Sequence, residues 1–466
     1  MLPFFILLYL CVSIAIGLYA SRRVKSREDF MLAGRSLPLS MATFTVFATW
    51  FGSETLLGAS ATFADEGLLG VIEDPFGATL CLILVGLFFA RYFYRLNLLT
   101  LSDFYREKFG KKTEIVSAVC MAVSFFGWIA GQLIALGVIL HTVWGLSMLQ
   151  GILISTAIVT VYTLAGGMWS VAMTDFVQTI CIIAGIIMVA WFVTPSDYNW
   201  QSIALPEHFF DFTPKEKSLN SWLNYLCAWI TLGLGSIPSQ DIFQRVMSSK
   251  NEKVAVRSSV IAGLMYLVIG MIPLYLAFVA KYVWQIPAQD SQALVTTLVM
   301  NKTPVFIQIL FFGALMSAVL STASGAMLAP ASVISNNLLK PLLAIRSERR
   351  LLLMERLSVF FVGTVSMLLA ISSNDIYELV GESSAIGLVS LFVPMLFGIY
   401  GKRHYAAAAL LSMITGLLSY LFCEHFMHTE FPALLIGLGC SLGSYCVVHW
   451  IMHVINKNSP SKSQAI

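Results

Sequence analysis

The sequence predicts an all-α polytopic membrane protein with thirteen transmembrane helices, on three observations. Of the 466 residues, 58% are apolar and only 11% charged, with a mean hydropathy of +0.81; a soluble domain carries about 25% charged residues. The apolar residues form unbroken runs long enough for helical crossings of ~20 residues each, whereas barrel strands would alternate apolar and polar side chains. The cations also sort almost entirely to one side of the runs so defined.

The first run, 2–20, has no basic segment before it and a basic cluster behind it, so it is expected to remain as a helix and not be removed as a leader. Further spans, bounded by charges and turn residues, are expected at roughly 38–63, 70–90, 115–143, 148–166, 171–193, 221–238, 258–283, 304–334, 357–373, 377–400, 405–424 and 431–455. With the N-terminus outside, the inner connections collect Arg22, Arg23, Arg35, Arg91, Arg95, Arg106, Arg245, Arg257, Arg346, Lys402, Arg403 and others, 24 of the 28 cations. Only Lys215, Lys217, Lys281 and Lys302 fall outside. This asymmetry predicts N-out and C-in, and no cation is expected at membrane depth.

The connections hold no separate soluble module. The longest, 194–220, contains Pro195, Pro206 and Pro214 and is expected to cap the bundle. Residues 1–455 therefore read as a single membrane domain, divided below into an extra helix and loop at 1–37, a first repeat at 38–193, a second at 221–400 and two accessory helices at 405–455. The polar segment 456–466 is expected to be a disordered cytoplasmic tail. The eight cysteines lie in or beside apolar runs without C-x-x-C spacing and read as packing residues. A net charge of +3 gives no reason to expect nucleic acid as a partner.

Transporters built from inverted repeats place broken helices at matching positions, because an unwound backbone offers carbonyls that a regular helix has already used. Span 2 carries Phe47-Ala48-Thr49-Trp50-Phe51-Gly52-Ser53-Glu54 near its midpoint, and span 7 carries Leu232-Gly233-Leu234-Gly235-Ser236-Ile237-Pro238. If spans 2–6 and 7–11 are the two repeats, these breaks open each of them, and Gly235 and Ser236 fall at the second. In span 9, Ala318, Ser321 and Thr322 lie at i, i+3 and i+4 and share a face. Their two hydroxyls suit a hard monovalent cation such as Na⁺, and equally suit hydrogen bonds back to the preceding turn or to a neighbouring helix.

At these residues, and along 5–400, the chain resembles the sodium:solute symporter family. The likeness is carried by Ala33-Gly34-Arg35-Ser36, by Gly166-Gly167-Met168-Trp169-Ser170 continuing through Asp175 to Gln178, by Gln240-Asp241-Ile242-Phe243-Gln244-Arg245 and by Leu320-Ser321-Thr322. The resemblance implies a LeuT-like inverted repeat with one extra N-terminal helix, Na⁺ as the coupling ion and no other cofactor. It further implies a sodium site of Ala48 and Phe51 carbonyls with Ala318, Ser321 and Thr322. Asp175 is expected to organise an inner gate with Gly166 and Gly167. Phe47-Ala48-Thr49-Trp50 and Ile237-Pro238 look most like the choline-carrier branch, in which Trp50 and Trp128 fall at tryptophan positions and would hold a solute by cation-π attraction of ~2 kcal/mol per desolvated ring. Ser239 stands where that branch has another tryptophan, and near Val380 a further aromatic is missing, which argues against choline.

Glu54 lies in span 2, where an unpaired carboxylate costs roughly 2.5–3.5 kcal/mol. It reads as an anchor for a substrate amine, as a second cation or proton site, or as a water-facing carboxyl of the outer vestibule. Together these features predict a plasma-membrane symporter (in the inner membrane, for a Gram-negative cell) taking up a small organic solute with Na⁺. Proton-coupled uptake of an organic cation or amino acid, and a sodium-dependent sensor without transport, are the alternatives. No H-E-x-x-H, P-loop or nucleotide fingerprint suggests an enzyme.

Overall fold

The computed structural model describes residues 2–23, 27–165, 167–196, 198–287, 290–373, 375–427 and 431–458. These residues fold almost entirely into helices, as lipid demands of a backbone whose polar groups find no water there. Nine helices among them are long and apolar enough to cross a membrane: Leu68–Leu96, Lys111–Trp144, Met168–Val193, Glu252–Val283, Val305–Leu342, Arg349–Ser372, Ile376–Tyr400, Ala406–Phe426 and Ala433–Ile455. Helix Leu2–Ser21 occupies the first expected run, and shorter apolar helices stand at Leu39–Trp50 and Met148–Leu164.

The helices divide into an enclosed set and a lipid-facing set. Lys111–Trp144 and Val305–Leu342 are 78% buried over their apolar windows, against 22% for Ala433–Ile455. The enclosed pair pack against each other, and Lys111–Trp144 also packs against Ile376–Gly387, so these helices frame the centre of the bundle. Outward-facing Trp191, Phe192, Phe360, Phe361, Leu418 and Phe422 are exposed, a greasy perimeter that only a bilayer covers.

Both expected interruptions are present. Helix Leu39–Trp50 stops where Phe51 takes φ −84° and ψ 74°, and the chain restarts as a helix from Glu54. Helix Leu219–Gly235 ends at Ser236, and a new helix, Gln240–Ser248, starts after an extended Ser239. Pro238 explains the second stop, since it disfavours a helical residue before it and has no N–H to donate. The capping role of 194–220 has a visible anchor: the Phe209 carbonyl accepts from the Leu68 N–H at 2.8 Å, and its buried ring meets Phe63, Phe278 and Tyr282.

Three expectations need correction or extension. Arg245 is not a loop residue; it lies in helix Gln240–Ser248 and is 3% exposed. A short helix, Leu294–Lys302, precedes the Val305 helix and has no counterpart among the expected spans. The last helix continues to Asn458, past the expected start of the tail at 456, while 459–466 lie outside the described residues.

Candidate functional site

The interruption after Trp50 rearranges a few backbone bonds. The Phe51 N–H still donates to the Phe47 carbonyl at 2.9 Å, but the Gly52 N–H turns back to the Trp50 carbonyl at 3.0 Å. The Ser53 N–H leaves the helix pattern for Gln132 Oε1 at 3.4 Å. Against this break lies the buried middle of the Val305 helix. Thr322 Oγ1 donates to the Ala48 carbonyl at 3.0 Å, and Ser321 Oγ donates to Asp175 Oδ1 at 2.8 Å while lying 3.5 Å from Thr174 Oγ1. Ala318, one turn before Thr322, and Phe51 are both buried.

Sequence reasoning assigned Asp175 to a gate, but its side chain reaches Ser321. It is 3% exposed, and Oδ2 has no hydrogen-bond partner. Hydroxyls, a helix-end carbonyl and a carboxylate make an all-oxygen donor set, which fits a hard monovalent cation. Gly167, the other described gate residue, has φ 114° and starts helix Met168–Val193, a conformation open to glycine and strained for other residues. Gly166 lies outside the described residues.

Beside this cluster is a cavity at the level of both breaks. Trp50, Glu54, Trp128, Gly235 and Ser236, which are far apart in sequence, all line it. Phe125 adds a third ring, tilted against Trp128 at 5.6 Å between centroids. Asp241, Ser239, Ser383, Ser384 and Val380 complete much of the wall. Both positions at which the chain departs from the choline-carrier pattern, Ser239 and Val380, thus face the same space. Ser236 Oγ lies 2.9 Å from Ser384 Oγ. Gly235 has a packing duty as well, because a Cβ there would collide with the Ser384 carbonyl.

Glu54 is 4% exposed and lines the cavity. Its Oε2 accepts from Gln132 Nε2 at 2.8 Å and from Ser53 Oγ at 3.4 Å. Gln132 escaped sequence reasoning because a lone amide in an apolar helix has no pattern; its signal was only its rarity.

Below the cavity, Arg245 Nε donates to Thr49 Oγ1 at 2.7 Å, and the guanidinium interacts with the carboxylates of Asp241 and Asp175. Two acids and a hydroxyl make its burial tolerable, since a buried cation needs partners. Gly325 makes room for it: a Cβ there would sit 2.8 Å from the guanidinium. The inward direction of Asp241 and Arg245 was not legible in the sequence, which read Arg245 as a residue of an inner connection.

At the arginine-rich end hydrogen bonds tie separate segments together. The Leu37 N–H donates to the Ser248 carbonyl at 3.1 Å and the Lys250 N–H to the Leu37 carbonyl at 2.9 Å. Asn337 Nδ2 donates to Asp103 Oδ1 at 2.9 Å and Glu114 Oε1 at 2.8 Å, and Thr100 Oγ1 donates to Asn337 Oδ1 at 3.0 Å. Gln240 joins this latch by accepting the Leu101 N–H at 2.7 Å.

Comparison with known proteins places this architecture. The high-affinity choline transporter 1 of Drosophila melanogaster is 28% identical over 418 residues, 86% of this chain and 67% of the relative. The high-affinity proline transporter PutP of Bacillus subtilis is 27% identical over 419 residues, 86% of this chain and 87% of the relative. The fold matches that of a Na⁺-coupled sialic acid symporter, solved in a substrate-bound outward-open state, with a TM-score of 0.77 and 19% identity over 100% of this chain and 99% of that one. The nucleobase-cation-symport-1 transporter MHP1 shares the fold less closely, with a TM-score of 0.62 and 15% identity over 94% of this chain and 96% of that one. The model of the sodium:solute symporter family matches residues 30–416, and the chain belongs to that family.

Proposed function

We propose that the protein is a thirteen-span, N-out and C-in symporter of the cell membrane that takes up a small amine-bearing organic solute with Na⁺ by alternating access. The observation that carries this reading is the adjacency of two sites across one broken helix. Trp50 and Glu54 face the cavity, while the Ala48 carbonyl meets Thr322 on the other side. An ion bound by Ala48, Phe51, Ala318, Ser321 and Thr322, with Asp175 as the charged member, would fix the conformation of the same few residues that shape the solute site. Occupancy of one site then favours occupancy of the other. The LeuT-like repeats, spans 2–6 and 7–11, would rock about these two breaks.

The solute class follows from the wall. Three rings and Glu54 favour a positive charge, and the serines at 239, 383 and 384 favour N–H donors. A quaternary ammonium such as choline has no N–H to offer them. The test is uptake into proteoliposomes of amino acids, amines, betaine, choline and sugars, with and without a sodium gradient. Sodium-dependent uptake of an amine-bearing solute is expected, with affinity reduced in Glu54→Gln by ~2–5 kcal/mol because the ammonium loses its buried partner. An unaltered affinity in that variant would remove Glu54 from the solute site.

A further inference from the structure

A second polar network reaches the break through Thr55 and Tyr266. Asp74 is 1% exposed and sits between helix segments. Its Oδ2 is 2.8 Å from Thr55 Oγ1. Thr55 Oγ1 contacts the Tyr266 hydroxyl, which is 2.9 Å from the Trp50 carbonyl. The four oxygens thus form a line with three hydrogen-bond contacts from Asp74 to the broken helix.

Each contact needs one proton, and the two hydroxyls hold one apiece. If Asp74 is a carboxylate, Thr55 donates to Oδ2, and the single Tyr266 proton serves either the Trp50 carbonyl or Thr55 Oγ1, leaving the other contact without one. If Oδ2 carries a proton, the donors can all run from Asp74 toward the break. Asp74 then donates to Thr55, Thr55 to Tyr266 and Tyr266 to the Trp50 carbonyl. No proton leaves its own oxygen, and the system differs by the single proton on Asp74. All three contacts are satisfied only in this second arrangement.

The surroundings hold no competing cation. The titratable groups facing Asp74 are Glu54, Glu73, Tyr266 and Tyr377, with Cys227 of helix Leu219–Gly235 beyond Glu73; among the described residues no lysine, arginine or histidine forms an ion pair with it. Asp74 Oδ1 has no hydrogen-bond partner, nor does the Tyr377 hydroxyl. Glu73 connects the pair to a basin at the acid-rich end lined by Glu378, Glu382 and Glu424. The oxygens of the chain lie at hydrogen-bond distance from one another, which leaves no gap for a metal ion between them.

The geometry points to a proton-binding site at Asp74 that is linked through Thr55 and Tyr266 to the Trp50 carbonyl, and so to the ion and solute sites on either side of the break. This rests on the transport reading above only for the identity of those linked sites. A bound proton commits the Tyr266 hydroxyl to the Trp50 carbonyl and its release lets that hydroxyl turn to Thr55, while a cation entering nearby opposes protonation. Sodium affinity therefore rises with pH, and by reciprocity sodium binding releases the proton.

Two measurements on the purified protein decide the matter. Infrared difference spectroscopy should show a protonated-carboxyl stretch that disappears in Asp74→Asn, and identical bands in wild type and variant would overturn the site. Radiosodium binding should strengthen about fivefold or more between mildly acidic and mildly alkaline buffer, with this dependence lost in Asp74→Asn. Tyr266→Phe covers the case where the asparagine variant does not fold. It should keep the Asp74 band and lose most of the pH dependence; full dependence in that variant would overturn the link. A wild type with the band but no sodium binding at any pH would refute the transport reading and leave the proton site standing.

Discussion

Ser321 and Thr322 are adjacent in sequence yet bond to different helices, one to Asp175 and the other to the Ala48 carbonyl. Replacing both by alanine removes two oxygens and takes from the Asp175 carboxylate its hydrogen bond from Ser321. The sodium concentration needed for uptake should rise by orders of magnitude in a protein that still inserts, measured as the sodium dependence of initial uptake rates; unchanged dependence would dismiss the site. At this scale the sequence was informative about composition and weak about convergence. The i, i+3, i+4 hydroxyl face was readable. That Asp175 would meet Ser321, 146 residues away, was not, because the register between two helices is set by packing. Gln132 and Asp74 were unreadable for the same reason. Each becomes meaningful only beside Glu54 or Thr55, to which no local pattern ties it.

The broken helices were the most legible elements, since Gly233, Gly235 and Pro238 act on the backbone of their own segment. Helix Gln240–Ser248 was misread because its charges looked like those of a loop. Its burial depends on a glycine in another helix, Gly325, and on acids that could be recognised as partners only after folding. The latch at the arginine-rich end invites an element-scale test. Asn337→Leu removes the amide that joins Asp103 and Glu114, and leaves Glu114, 3% exposed, facing Asp103 without the donor between them. Glu114 keeps Arg106 at 3.7 Å, and loss of the amide's hydrogen bond to a charged group costs about 1.5–3 kcal/mol. Amide hydrogen exchange should accelerate in peptides covering 99–109 and 240–248, while the Ile376–Gly387 helix stays unchanged. Equal protection in variant and wild type would show that other contacts hold those segments together.

For the whole molecule, composition fixed the membrane environment and cation asymmetry gave an orientation that no single helix could. Placing 24 of 28 cations on one side predicts that a tag after residue 466 reacts with an impermeant label only in opened cells, and that one before residue 2 reacts in intact cells. The reverse pattern would invert every inside and outside assignment made from the sequence. Coupling at this scale is energetically sufficient. One Na⁺ gains ~2.3 kcal/mol per 100 mV and ~1.4 kcal/mol from a tenfold gradient, enough to hold a neutral solute at a ratio of several hundred.

The central claim is that sodium and an amine-bearing solute move together through sites on two sides of one broken helix. Solute-dependent radiosodium entry into proteoliposomes tests it most directly, with the amine-bearing solutes of the uptake screen supplied outside. Sodium entry should rise in fixed proportion to the uptake of at least one such solute, and both fluxes should fall together in Ser321→Ala/Thr322→Ala. Solute entry that neither needs nor carries sodium would contradict the account, as would sodium entry indifferent to every solute offered.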